Sequence, residues 1–153
     1  QLRGFMDNVV QMRPPLQLLP ILPEHLDEVI EDAMDMLVPA IARQSKNVDV
    51  EDILDELHDG DSLLWMAYVG REPVAAIVTC IVQYPKRRNM KIEWMGGKRM
   101  HTWVDEALAI LTKVAKEAKL DAIEADGRKG FQRKYAEAAS FREIYTHFEM
   151  ELS

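Results

Sequence analysis

The stretch Met90–Lys91–Ile92–Glu93–Trp94–Met95–Gly96–Gly97–Lys98–Arg99–Met100–His101–Thr102–Trp103 decides how the chain is read. Its first part, residues 90–95, has the composition of a strand. Gly96–Gly97 ends that strand, residues 98–101 make a short loop, and Thr102 is a candidate N-cap with Asp105 three residues later, the spacing of a capping box. Beyond it Val104, Ala107, Leu108, Leu111, Val114, Ala115 and Ala118 recur at helical spacing, so a helix is expected over 103–119 with Leu111 and Val114 in the core.

Working outward toward the N-terminus, residues 63–69 and 74–82 read as strands around the turn Gly70–Arg71–Glu72, an antiparallel hairpin rich in branched residues. Residues 85–89 form a basic turn into the deciding strand. Further upstream, Asp49 is a plausible N-cap and Gly60 a C-terminal stop for a helix carrying Val50, Ile53, Leu54 and Leu57 on one side. A longer helix begins near Pro23 and Glu24 with apolar residues through Ile41. Pro39 is expected to kink or divide it, and its acidic face (Glu24, Asp27, Glu28, Glu31, Asp32, Asp35) reads as a solvated one. Residues 16–22 are apolar with Pro20 inside, which restricts them to an edge or terminal strand.

Downstream, 121–125 reads as a short strand, 129–139 as a helix and 141–152 as a final strand. The order is strand, helix, helix, three antiparallel strands, helix, strand, helix, strand. It indicates an α/β (α+β) fold, a mixed and mostly antiparallel sheet of about six strands with helices on both faces. Residues 1–15 are an N-terminal extension. Phe5, Val9 and Met12 fall near helical spacing before Pro14–Pro15, the pattern of an arm that docks on another protein or on a second copy, with a loose tail as the other reading. Residues 16–153 form a single domain.

Composition narrows the function. The chain has 153 residues, 48% hydrophobic and 29% charged, with a formal charge of −7. That excludes a disordered chain and weighs against non-specific nucleic-acid binding, which relies on positive surface. The single Cys80 excludes an internal disulfide, no Cys/His spacing suggests a metal, and no apolar run approaches a membrane span. Cys80 reads as a small core residue, and Trp65, Trp94 and Trp103 as packing residues. A reducing cytoplasm is the default location.

This order of elements resembles the GCN5-related N-acetyltransferase (GNAT) fold over about residues 16–152. More narrowly, Tyr84–Pro85–Lys86–Arg87–Arg88, then Gly96–Gly97, Asp121–Ala122–Ile123–Glu124 and Gly127–Arg128–Lys129–Gly130–Phe131 are similar to small acetyltransferase-like proteins of tailed bacteriophages and prophages, often encoded among virion and packaging genes. That would place the chain in the cytoplasm of a bacterial host, with a possible place in the virion.

The resemblance implies acetyl-CoA as cofactor. Its pantetheine arm would bond the backbone of Glu93, Trp94, Met95 and Gly96, and its pyrophosphate would rest on N–H groups between Gly97 and Thr102, with Lys98 and Arg99 adding charge. Unpaired N–H groups and the dipole at a helix start suit an anion. The resemblance also implies Glu93 as general base and Tyr135 as the acid that protonates the departing thiolate. A solvent-facing strand glutamate and a packing tyrosine are the competing readings, and His101 and His147 are alternatives without a motif. The chain departs from the family's Gln/Arg-x-x-Gly-x-Gly/Ala loop: its glycines come early, and Met100 and His101 stand where close backbone approach is wanted. Two expectations follow: an acyl-CoA-dependent N-acyltransferase with a degenerate pyrophosphate loop and an unknown acceptor, or a non-catalytic virion, assembly or host-interaction protein on the same fold.

Overall fold

The computed structural model describes residues 14–43, 46–127, 141–145 and 147–152. Its elements are β1 (Leu16–Ile21), α1 (Leu26–Ala42), α2 (Val50–Asp59), β2 (Leu63–Val69), β3 (Glu72–Gln83), β4 (Arg88–Gly97), α3 (Val104–Glu117) and β5 (Ala122–Ala125), with short 3₁₀ turns at Pro23–His25 and Met100–Thr102. The strands form one sheet in the order β1-β2-β3-β4-β5. Every pairing is antiparallel except β4 with β5. Pro20 accordingly sits in an edge strand, where a missing N–H costs no ladder bond.

Helices cover both faces. α1 and α2 bury Leu26, Ala33, Leu37, Ile41, Ile53 and Leu57 against Leu64, Met66, Ala76 and Val78 of the sheet. α3 buries Val104, Ala107, Leu108, Leu111 and Ala115 against Trp65, Ala67, Ile77, Met90 and Ile92 on the other side. The strands' alternation decides the two layers: Ile77 faces one and Val78 the other. Leu111 is fully buried as its periodicity requires, while Val114 is half-buried at the margin of that cluster.

Local signals set most of the boundaries. The Asp49 side chain accepts from the Asp52 N–H at 3.0 Å and the Asp52 carboxylate accepts from the Asp49 N–H at 2.9 Å, closing a capping box at the start of α2. Gly60 ends that helix in the left-handed conformation, φ 79°. Pro39 does not divide α1, which runs unbroken to Ala42. Asp35, whose carbonyl would have accepted the missing N–H, is exposed, as is Pro39, so the lost bond falls on the solvent side.

Two expectations are corrected. Gly96–Gly97 does not end the strand early. Both residues lie inside β4, opposite Ala76 and Ala75. Residues 141–145 and 147–152 form no strand; Phe141 packs on the α3-side cluster, but Ile144, Tyr145, Phe148, Met150 and Leu152 are exposed. Alternating apolar residues make a strand only where an edge pairs with them, and this segment pairs with none. The described sheet therefore has five strands. Residues 1–13 of the extension and the whole of the expected helix over 129–139, Tyr135 included, lie outside the described residues.

Candidate functional site

The site is built on the half of β4 that loses its parallel neighbour. The β4–β5 ladder runs from Asn89 opposite Ala122 to Ile92 opposite Ala125 and stops there. On its other edge β4 stays paired with β3 as far as Gly97. From Glu93 to Gly97 one backbone edge of β4 is thus free of β5, an opening between two strands of the same sheet. The β4–β5 ladder does not reach Gly96, and the divergence begins earlier than the glycines, at Glu93.

Glu93 marks the point of divergence. Val78 pairs with Trp94 and Thr79 with Ile92, so Glu93 is the extra residue of a β-bulge. A bulge re-aims a side chain. Ser62, buried at the start of β2, donates its hydroxyl to Glu93 Oε1 at 2.6 Å and lies 3.2 Å from Glu56 Oε2 on α2. Burial, reinforced by the Glu93 charge, holds the Glu56 carboxyl above its ordinary range, with the Ser62 hydroxyl opposing and Asp61 and Asp52 adding to the rise. Cys80 on β3 hydrogen-bonds Glu93 as well. Burial first, then the Glu93 charge and that bond, push its thiol up to about 11, so the nucleophilic thiolate is absent at neutral pH. Sequence reasoning singled out Glu93 as a candidate. It missed Ser62 and Glu56, which come from other elements and carry no local motif.

The next side chains along the opening serve packing. Trp94 packs on the α1/α2 cluster and Met95 on the α3 cluster. What they and Glu93 offer to a molecule lying along β4 is backbone. A Cβ at Gly96 would come within 2.1 Å of the Met36 carbonyl oxygen in α1, and one at Gly97 within 2.3 Å of the Val74 carbonyl. These glycines admit the neighbouring backbone and do not shape a phosphate cradle.

The loop after β4 is largely engaged with itself. The Lys98 N–H donates to the Val74 carbonyl at 3.0 Å and the Trp103 indole to the Lys98 carbonyl at 2.7 Å. Arg99 adopts the left-handed region at φ 52°. Its carbonyl accepts the Thr102 N–H at 2.9 Å and the Thr102 hydroxyl at 2.7 Å. Thr102 is therefore not the cap of α3; it belongs to the 3₁₀ turn, and Trp103 occupies the cap position without a side-chain cap bond. The charges are also engaged. The Arg99 guanidinium lies 3.6 Å from Glu72. Lys98 borders a shallow cavity of about 360 Å³ whose rim carries Asp32, Asp35 and Glu72. A phosphate placed there would meet carboxylates as well as cations.

Trp65 and Trp103 are core residues with satisfied indoles, the former donating to Thr79 Oγ1 at 2.9 Å. His101, in the 3₁₀ turn, and His147 are exposed. Among the described residues no group of His, Cys, Asp and Glu could hold a metal ion, and no helix is long and apolar enough to cross a membrane.

No protein-family model and no curated protein matches the chain. Solved structures do. A ribosomal-protein-alanine N-acetyltransferase from Brucella melitensis biovar Abortus 2308 shares the fold over 91% of this chain and 100% of its own, with a TM-score of 0.65 and 13% identity. A predicted acetyltransferase from Clostridium acetobutylicum, solved with acetyl-CoA, covers 90% of this chain and 96% of its own at TM-score 0.60 and 16% identity. A GNAT family acetyltransferase from Staphylococcus aureus covers 90% and 98% at TM-score 0.62 and 11% identity. The fold is that of the GNAT acetyltransferases.

Proposed function

We propose that the chain is an acyl-CoA-dependent N-acyltransferase with Glu93 as general base. The observation that carries this reading is the free edge of β4 over Glu93–Gly97, with the bulged Glu93 at its head. Backbone N–H and C=O groups left unpaired by a neighbouring strand suit the amides of a pantetheine arm. When bound, an acyl-CoA supplies an activated acyl carbon with a thiolate leaving group. Glu93 takes a proton from the acceptor's ammonium, breaking N–H and forming O–H. The free amine can then form the C–N bond as C–S breaks. The departing sulfur takes a proton from Tyr135, proposed as the acid on resemblance alone; the nitrogen's second proton restores Tyr135 through solvent, and the proton on Glu93 leaves to water.

Lys98, Arg99 and Thr102 give the pyrophosphate little, so affinity rests on the β4 edge. Calorimetry with acetyl-CoA tests the reading. Micromolar to submillimolar binding is expected, with Glu93→Gln keeping the affinity while amine-dependent thiol release falls by about 10²- to 10⁴-fold. No binding at millimolar acetyl-CoA overturns it.

The carboxylates around Lys98 and Arg99 favour a second reading, a non-catalytic protein on the same fold, which the same null result would support. The resemblance to phage-encoded proteins, a host-cytoplasmic or virion location, and docking through residues 1–15 belong to this proposal too. A chain lacking residues 1–13 that stays folded but no longer self-associates or binds its partner would support the arm.

A further inference from the structure

Ser62 stands between two carboxylates with a single proton to give. Its Oγ is 2.6 Å from Glu93 Oε1 and 3.2 Å from Glu56 Oε2. A hydroxyl donates once and accepts through its lone pairs. With the proton directed to Glu93, a lone pair of Ser62 faces Glu56, a contact that attracts only when Glu56 carries a proton. With the proton directed to Glu56, the same holds for Glu93. Ser62 is buried, so water does not readily replace either partner.

We propose that Glu56 is a positioning residue that acts on Glu93 through Ser62, so that a proton taken by Glu93 is held by the two carboxylates together; this rests on the reading of Glu93 as the base. The transfer is balanced. Protonated Glu93 gives its proton to Ser62 Oγ while the Ser62 proton passes to Glu56 Oε2. One O–H bond breaks and one forms at each step, and Glu93 is returned to the ionised form that an ammonium group needs. The bulge is what makes this possible, because it turns Glu93 toward the start of β2 and the last turn of α2.

The surroundings favour holding one proton. Asp52 and Asp61 crowd Glu56 from α2 and the turn that follows it, and Cys80 of β3 donates to Glu93. Lys91, the neighbouring cation on β4, is 3.6 Å from Asp126. On α1, Asp27 lies 3.8 Å from His58 instead.

The test is a carbon-13 titration of the glutamate carboxyl groups in the full chain, without cofactor. Glu93→Gln should lower the titration midpoint of Glu56, because it removes a neighbouring negative charge. The change is expected to be at least roughly threefold in proton affinity. A lowered midpoint supports the pair; an unmoved or raised one overturns it. The role in transfer is read from thiol release by acetyl-CoA with spermidine. There Glu56→Gln should move the acid limb of the pH profile to lower pH. An unmoved limb overturns the role. A wild-type protein that releases no thiol overturns the role together with the transferase reading, while the carboxyl titration still reports on the pair.

Discussion

The two halves of β4 belong to one continuous strand and are held in different ways. From Arg88 to Ile92 the strand is paired on both edges. Side chains tie this half to β5: the Arg88 N–H donates to the Asp121 carboxylate at 2.8 Å, and the Asn89 amide and the Tyr84 hydroxyl both donate to Glu124 at 2.9 Å. From Glu93 to Gly97 the strand is paired on one edge only, and its other contacts reach to Ser62 and to α1. The first half is fastened laterally and the second is free laterally but held from its faces. A strand can therefore offer backbone to a ligand without becoming mobile, provided that the packing above and below replaces the missing neighbour.

The largest test of that contrast is in the core beneath the closed half. Leu111 is fully buried in the cluster that contains Met90 and Ile92. Leu111→Ala should cost about 2–5 kcal/mol in urea unfolding. A loss under about half a kcal/mol would mean that this layer does not anchor β4. In the open half, Gly96→Ala drives a Cβ into the Met36 carbonyl and should cost about 1–3 kcal/mol. A cost near zero would show that α1 is free to retreat, and that the open half is not held from its face.

A smaller effect concerns pH. Glu56 has a raised folded-state pKa, caused chiefly by burial and the Glu93 charge. A carboxyl raised on folding contributes stability that is complete below its unfolded value and is lost as pH rises through its folded value. Glu56→Gln removes that loss. The variant should gain on the wild type in urea midpoint between pH 4 and pH 7; a difference that is flat or falls across this window contradicts the assignment. The smallest effect is at the loop. The Lys98→Ala, Arg99→Ala double variant should change acetyl-CoA affinity by less than about threefold, since Arg99 faces Glu72 and Lys98 faces acids. A tenfold loss would make the loop, and not the strand edge, the seat of binding.

What the sequence revealed followed the reach of each signal. Helical spacing placed Leu111 in the core, and Asp49 and Gly60 marked the ends of α2, because caps and amphipathic stripes are local. Glu93 was legible as a candidate only through resemblance. Its bulge was hidden, since one residue without a cross-strand partner leaves no mark in the chain's alternation. Ser62 and Glu56 meet it from sequence-distant elements. Thr102 satisfied the pattern of a cap, yet the 3₁₀ turn moved the helix start past it. The exposed Phe148, Met150 and Leu152 show the reverse error: a strand pattern is half a prediction, and the other half is an edge to receive it.

The meeting of Gly96 with α1 has a consequence for how this sequence can drift. The atom in the way is a main-chain oxygen of Met36, not a side chain. Replacing Met36 by any smaller residue leaves that oxygen where it is. A side-chain clash can be relieved by a second mutation at the partner site, but this one cannot. The freedom of position 96 is thus set by the path of a helix and not by the identity of its neighbour, and a change there would have to be matched by moving α1 as a whole.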